Sequence, residues 1–226
     1  ISPQVPAHRL ILSLAEAVDQ VHPAVSEHQR RVAFIATSMG QWLGFSGRQL
    51  LDVFHAAALH DIGLLGPDNR LRAMRVGQLE SVAGHAEVGY TLLKDIPLFG
   101  DAAQLLRYHH VAYDEGRAND GDGREVPLAS FIIAVADGVE RSVDRAVPVL
   151  AQKDGILKSI SAVGPRRYHP ACVEALQAVA RPDAFWLDLT GHRIYGVLLR
   201  QVDWPAMVLD EVAIGPIAKV FARIVD

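Results

Sequence analysis

The sequence predicts an all-α fold, a helical bundle, and three observations support this prediction. Apolar residues recur at helical spacing along most of the chain. Half of the 226 residues are hydrophobic, which is enough to bury a sizeable core and excludes a disordered chain. Glycines and prolines such as Gly44, Pro97 and Pro127 separate the helical stretches from one another.

The predicted helices follow in order along the chain. The first runs from Leu10 to Asp19. The second starts at Ser26, with Gln29 as its capping-box partner, and ends at Gly44. Later helices are predicted at Gln49–Leu59, Glu80–Leu93, Asp101–His110, Pro127–Val143, 148–160 and 169–180.

The C-terminal part of the chain is less clear. Residues 184–201 fit either a hairpin or short helices, and periodicity does not decide between them. Residues 216–226 (PIAKVFARIVD) have the same helical pattern as residues 9–19 (RLILSLAEAVD). Either a second copy of the domain begins here, or two amphipathic helices are merely alike. We therefore assign residues 1–182 to one domain and 183–226 to a C-terminal extension.

Composition excludes several classes of function. A formal net charge of -4 argues against DNA as a partner. No apolar run reaches the roughly 18 residues of a membrane helix. A single cysteine, Cys172, excludes an internal disulfide and a cysteine zinc cage, and it predicts a cytoplasmic protein. The chain begins at Ile1 without a Met or a signal peptide, so we expect a piece of a longer protein.

Several ionisable residues stand inside or beside apolar helices. Asp137 follows the run FIIAVA, and His60 and Asp61 end the run FHAAAL. The pair His109 and His110 ends another predicted helix. An isolated buried carboxylate costs several kcal/mol unless it is paired, protonated or bound to a metal. Taken singly, each residue could be a hydrogen-bonded core residue or a helix cap.

Together with His28 and His85, these residues form a set of five histidines and two aspartates. Imidazole and carboxylate ligands without thiolate suit iron or manganese, with nickel or zinc as alternatives. Seven ligands exceed one tetrahedral site but suit two metals that share a carboxylate. Two divalent metals about 3.5–4 Å apart can activate a water that attacks a phosphate. The set therefore predicts a dinuclear hydrolase site.

The order of these motifs resembles one protein family. HDIG at 60–63, HxxxG at 85–89, the paired histidines at 109–110 and VAD at 135–137 resemble the HD-GYP branch of the HD-domain metal-dependent phosphohydrolases. The resemblance covers roughly residues 10–180 and implies an HD-domain helical bundle within residues 1–182. It also implies a signalling phosphodiesterase that hydrolyses a small cyclic dinucleotide such as cyclic di-GMP, with a metal-bridging water as the nucleophile.

The resemblance also implies a role for each ligand. Asp61 is expected to be catalytic and to bridge the two metals. The remaining ligands are expected to divide into one group of His28, His60 and Asp137 and another of His85, His109 and His110. Some family members bind a third metal through a glutamate at the position of Ala24, so two metals are expected here.

This chain also departs from the family pattern. The lysine that follows HDIG and contacts the substrate phosphate is replaced by Leu64, and the Tyr-Pro pair of the GYP motif is missing. Asp114 and Arg145 are the expected substrate-binding residues. Arg70, Arg72 and Arg75 are candidates to supply the missing positive charge.

Three functions remain open from the sequence. The first is a metal-dependent phosphodiesterase, whose activity the departures would weaken. The second is a degenerate module that keeps its metals and serves in regulation, in protein interaction or in cyclic-dinucleotide binding. The third is a mixed-valence di-iron oxygenase, because related HD proteins use a similar centre. His55, five residues before His60, is expected to be structural.

Overall fold

The computed structural model describes residues 5–19, 27–65, 84–119, 123–204, 208–209 and 211–225. Within these ranges the chain is helical almost throughout, so the predicted all-α class is confirmed. The α-helices are α1 Ala7–Asp19, α2 His28–Trp42, α3 Gly47–Ala58, α4 His85–Leu93, α5 Gly100–Arg107, α6 Leu128–Arg141, α7 Val149–Val163, α8 Pro170–Val179, α9 Asp183–Thr190, α10 Ile194–Gln201 and α11 Glu211–Val225. Short 3₁₀ helices lie at Ile62–Leu65, Asp114–Gly116 and Gly164–Arg166.

Helix α2 is the centre of the bundle. It packs against α1, α3, α6, α8, α9 and α10. Its residues Val32, Ala33, Ile35, Ala36 and Met39 are fully buried. The alanines give small contact surfaces, so neighbouring helices approach closely and enclose the start of α2.

Four further helices place the remaining polar residues of the core. Helix α3 packs on α2 and ends at Ala58, just before the HDIG motif. Helix α6 also packs on α2, and its apolar face is interrupted by the buried Asp137 and Glu140. Helices α4 and α5 pack on each other, and α5 packs on α3 and α6. The helix ends therefore meet beside α2.

The predicted start of α2 needs a correction. The helix begins at His28, and the preceding Glu27 has a left-handed backbone (φ 63°) without a side-chain cap. The side-chain amide of Gln29 donates to Asp61 Oδ2 at 3.2 Å. Ser26 lies outside the described residues, so the predicted capping box between Ser26 and Gln29 stays a prediction.

Residues 184–201, which the sequence left open, form helices α9 and α10. Both pack on α2, and Trp186, Leu189 and Leu198 are fully buried in the same core as the preceding helices. A two-residue antiparallel pair joins Val5–Pro6 to Val208–Leu209. The domain boundary at residue 182 stays a prediction, as does the partial repeat. None of the described helices combines the length and the apolar character that crossing a membrane requires.

Candidate metal centre

The seven predicted ligands come together inside the bundle. His28 is the first residue of α2, and His85 is the first residue of α4. His60 and Asp61 lie in the turn after α3, and His109 and His110 lie in the turn after α5. Asp137 projects from the middle of α6. Helix ends therefore supply six of the seven side chains, which explains how two adjacent histidines reach one centre.

The ligand atoms form three overlapping groups, each within 4.8 Å. One group is His28, His60 and Asp137, and another is His85, His109 and His110. The third group, His60, Asp61 and His109, shares a histidine with each of the others. The seven side chains are therefore one continuous cluster with two ends.

Asp61 lies between the two ends, and its two oxygens face different histidines. Its Oδ2 atom lies 3.6 Å from His28 Nε2 and 3.3 Å from His60 Nε2. Its Oδ1 atom lies 3.1 Å from His85 Nε2. A carboxylate in this orientation can contribute one oxygen to each of two cations.

The outer ring nitrogens of three histidines are held by hydrogen bonds. Nδ1 of His60 donates to the Ala57 carbonyl at 2.9 Å, and Nδ1 of His109 donates to the Leu106 carbonyl at 2.5 Å. Nδ1 of His28 donates to the Glu140 carboxylate at 2.5 Å. These bonds leave the Nε2 atoms facing the cluster, as in histidines that bind metals.

Two motif glycines let the HDIG turn approach α4. A Cβ atom on Gly63 would lie 2.0 Å from the His85 carbonyl oxygen and 2.8 Å from Gly89 N. A Cβ atom on Gly89 would lie 3.1 Å from Leu106 and 3.3 Å from Ile62. The two segments therefore pack backbone against backbone, and this contact places His85 beside Asp61.

The protonation states of the cluster suit cation binding. Burial alone would raise the pKa values of Asp61 and Asp137. Neighbouring histidines outweigh burial, keeping the pKa of Asp61 well below its usual range and lowering that of Asp137 to about 2. Burial, together with neighbouring histidines, lowers the pKa of His110 to about 4 and that of His109 well below its usual range. At neutral pH these carboxylates are ionised and both imidazoles are neutral.

His28 differs from the other histidines. Burial would lower its pKa, but the carboxylates of Asp137 and Glu140 raise the pKa to about 10. The proton lies where negative charge from several side chains is concentrated. A cation at this end of the cluster would take the place of that proton.

Several buried ligand atoms have no hydrogen-bond partner among the described residues. They are His60 Nε2, His109 Nε2 and Asp137 Oδ1. Leaving such groups buried without a hydrogen bond costs about 1–3 kcal/mol each, and bound metal ions would satisfy all three. The residues present therefore fit a site for divalent metal, and a donor set of nitrogen and oxygen suits iron, manganese, nickel or zinc.

Comparison with known proteins shows the family of the chain. The HD domain matches residues 25–142, just over half of the chain. The chain belongs to the HD domain family. The match includes all seven residues of the cluster, from His28 in α2 to Asp137 in α6.

Relatives of this HD domain chain include phosphodiesterases of cyclic dinucleotides. It is 27% identical to a cyclic di-GMP phosphodiesterase of Thermotoga maritima over 66% of the chain and 42% of that protein. It is 29% identical to the cyclic di-GMP phosphodiesterase response regulator RpfG of Xanthomonas campestris over 72% of the chain and 45% of that protein. The chain thus spans less than half the length of these relatives. They agree with the predicted resemblance to the HD-GYP branch.

A solved structure has the same fold. The cyclic GMP-AMP-specific phosphodiesterase V-cGAP3 of Vibrio cholerae superposes on the whole chain and on 61% of its own length, with a TM-score of 0.74. Sequence identity in that superposition is 18%, so the likeness concerns the fold alone.

The two residues predicted to bind substrate in this HD domain lie in different places, one beside the cluster and one on the surface. Arg145 donates to Glu140 Oε1 at 3.2 Å, next to the His28 end of the cluster. Asp114 is exposed, lies in a 3₁₀ helix and forms a two-point ion pair with Arg117. Its hydrogen bonds to described residues lie on the surface and do not reach the cluster. Substrate binding by either residue stays a prediction.

Other sequence expectations concern the rim of the site. Leu64, at the position of the expected lysine, is 3% exposed. Ala24, Arg70, Arg72 and Arg75 lie outside the described residues, so their predicted roles stay untested. His55 is buried, its ring contacts those of Phe54 and Phe99, and it belongs to none of the three ligand groups, as is expected of a structural residue.

Sequence reasoning missed two residues of the HD domain site, Gln29 and Glu140. Gln29 donates to Asp61, and Glu140 accepts from His28. Glu140 follows Asp137 by three residues on α6, so both lie on one helix face, and this spacing could have identified it. For Gln29 the helix-start pattern pointed to capping instead.

Proposed function

We propose that this HD domain is a metal-dependent phosphodiesterase that hydrolyses a cyclic dinucleotide such as cyclic di-GMP at a dinuclear metal centre. The proposal is carried by one observation: five histidines and two aspartates from separate helices form a continuous cluster around the two-faced carboxylate of Asp61. The names of the relatives support the substrate class.

The ligands divide between two positions in this proposal. One position uses the group that contains His28 and Asp137, and the other uses the group that contains His85 and His110. Asp61 bridges them, which its opposed contacts to His28 and His85 support. When bound, the two ions supply Lewis-acid activation of water and neutralise charge on the phosphodiester.

The remaining residues hold this arrangement in place. Gln29 donates to Asp61 and fixes the plane of its carboxylate. The carbonyls of Ala57 and Leu106 hold two imidazoles with Nε2 inward. His85 and His109 are buried while His110 is exposed, so the His110 end is the side from which a substrate reaches the cluster.

The test combines metal analysis with activity. The protein is purified without chelator, metals per chain are counted, and cyclic di-GMP, 3'3'-cGAMP, a linear dinucleotide and an aryl phosphodiester are assayed side by side. We expect two metals per chain and turnover of a cyclic dinucleotide. Asp61→Asn should abolish turnover and lower the metal content.

A matched variant controls for loss of a buried carboxylate. Asp52 is also buried, but it pairs with Arg48 at 2.9 Å on α3 and is not part of the cluster. Asp52→Asn should therefore keep both metals and full turnover. Full metal content in Asp61→Asn, or no turnover of any phosphodiester by the metal-loaded wild type, would contradict the proposal.

A second candidate is a degenerate domain that binds metals and a cyclic dinucleotide without hydrolysing it. The observation that favours it is Leu64, because an apolar side chain is buried where the resembled family has a phosphate-binding lysine. Tight binding of cyclic di-GMP to the metal-loaded protein without turnover would support this function over the first.

A further inference from the structure

We propose that Glu140 is a positioning residue that fixes His28 as a ligand and makes the metal position at the His28 end the tighter of the two. The inference rests on the dinuclear centre proposed above and goes beyond it. It assigns a role to a residue outside the ligand set and predicts that the two positions are unequal.

Two carboxylates of α6 bracket the imidazole of His28. Glu140 Oε2 accepts from Nδ1 at 2.5 Å, and Asp137 Oδ1 lies 3.4 Å from Nε2 on the other side of the ring. The Glu140 side chain is only 5% exposed. Because Asp137 and Glu140 are three residues apart on one helix, α6 sets both distances together.

The carboxylate partner distinguishes His28 from His60 and His109. Those two histidines donate from Nδ1 to neutral backbone carbonyls. A hydrogen bond to an ionised acceptor is roughly twice as strong as a neutral one. It also makes the opposite nitrogen a better donor to a metal, so His28 is the more basic ligand.

Glu140 is itself held by two arginines. Its Oε1 atom lies 3.2 Å from the Arg145 guanidinium and 3.5 Å from that of Arg31, which also pairs with Glu27 at 2.8 Å. The arginines occupy Oε1 and leave Oε2 for His28. The carboxylate is thus fixed on both sides and cannot turn away from the imidazole.

The two ends of the cluster therefore differ in charge. The His28 end has the carboxylate of Asp137 as well as Glu140 behind its histidine. The group at the other end, His85, His109 and His110, consists of imidazoles. Asp61 is shared, so a divalent ion finds more negative charge at the His28 end.

Zinc binding tests this asymmetry without an activity assay. Apoprotein is titrated with Zn²⁺ in competition with a chromophoric chelator, which resolves the two binding steps. In Glu140→Gln the tighter step should weaken by about 10–100-fold, as is typical when a partner behind a metal ligand is lost. The weaker step should stay unchanged, whereas general unfolding would weaken both.

Glu16→Gln is the matched control. Glu16 also pairs with an arginine, since Arg30 lies 2.7 Å away, but it is exposed and has no histidine partner among the described residues. Both zinc steps should match those of the wild type. An unchanged tight step in Glu140→Gln would overturn the role of Glu140, whereas fewer than two zinc ions in the wild type would overturn the dinuclear centre as well.

A measurement on the wild type covers the case in which Glu140→Gln does not fold. In a proton–nitrogen NMR spectrum of the zinc-loaded protein, His28 should bind zinc through Nε2 and carry its proton on Nδ1. The resonance of that proton should lie downfield of the resonances of the Nδ1 protons of His60 and His109, because its acceptor is charged. Coordination through Nδ1, or a proton no further downfield, would overturn the inference.

Discussion

The HDIG turn and the start of α4 touch through Gly63 and His85. A Cβ atom at Gly63 would lie 2.0 Å from the His85 carbonyl oxygen, closer than any side chain can approach. The same turn carries Asp61, whose Oδ1 atom lies 3.1 Å from His85 Nε2. The glycine of HDIG thus allows Asp61, in the turn after α3, to lie against His85 at the start of α4.

Gly63→Ala should separate these two ligands. The methyl group must displace the backbone of α4, so we expect a loss of about 1–3 kcal/mol in the free energy of unfolding, as in an overpacked core. We also expect one metal fewer per chain, because His85 moves away from Asp61. Metal analysis and urea unfolding measure the two effects.

Gly155→Ala is the control for this variant. Gly155 lies within α7, and a Cβ atom there would meet no atom of the described residues within 4 Å. This substitution should stabilise the protein by about 0.5–1 kcal/mol through helix propensity and leave both metals bound. Retention of both metals and full stability in Gly63→Ala would show that the close approach is not needed.

The buried His55 should make the protein sensitive to acid. Burial lowers its pKa to about 3, and neither ring nitrogen has a hydrogen-bond partner among the described residues. The unfolded chain binds a proton below about pH 6.5 and the folded chain does not, so stability falls as the pH drops from about 6.5 toward 3. The slope from this residue is about 1.4 kcal/mol per pH unit.

His55→Leu should remove that contribution. At about pH 7.5 the variant should be as stable as the wild type or up to about 1–2 kcal/mol more stable, because two unpaired buried nitrogens are lost. At about pH 5 its advantage should grow by about 2 kcal/mol. Urea unfolding at both pH values measures this difference, and an equal advantage at the two pH values would refute the prediction.

Leu64→Lys tests whether a missing charge limits activity. If the amino group reaches the phosphate, kcat/KM on an aryl phosphodiester should rise about tenfold, the equivalent of about 1.4 kcal/mol. Leu64→Met has a similar volume without the charge and should show no gain. A folded, metal-loaded Leu64→Lys protein without increased activity would favour the degenerate domain over the phosphodiesterase.

The sequence predicted the helical fold and the seven clustered residues because both leave local patterns. Asp137 is conspicuous as a carboxylate in an apolar helix, and His60 and Asp61 end another apolar run. These residues can be recognised in the sequence because burying an uncompensated charge costs free energy. The resemblance then supplied the pairing between segments.

The hydrogen bonds that Glu140 and Gln29 make to the predicted ligands could not be predicted in the same way. The spacing from Asp137 could have identified Glu140 as a residue of the site, but Glu140 lies 112 residues after His28, and nothing in either local pattern indicates that these two residues meet. Gln29 fits a helix cap by local pattern, and only the packing of α2 against the HDIG turn brings its amide to Asp61. Such contacts depend on helix packing, which a local motif does not encode.

Anomalous diffraction from crystals grown with Zn²⁺ tests the central claim most directly. We predict two peaks about 3.5–4 Å apart with Asp61 between them. One peak should lie about 2.0–2.2 Å from ligand atoms of His28, His60 and Asp137, and the other about 2.0–2.1 Å from the imidazoles of His85, His109 and His110. A single peak, or two peaks outside this cluster, would contradict the account.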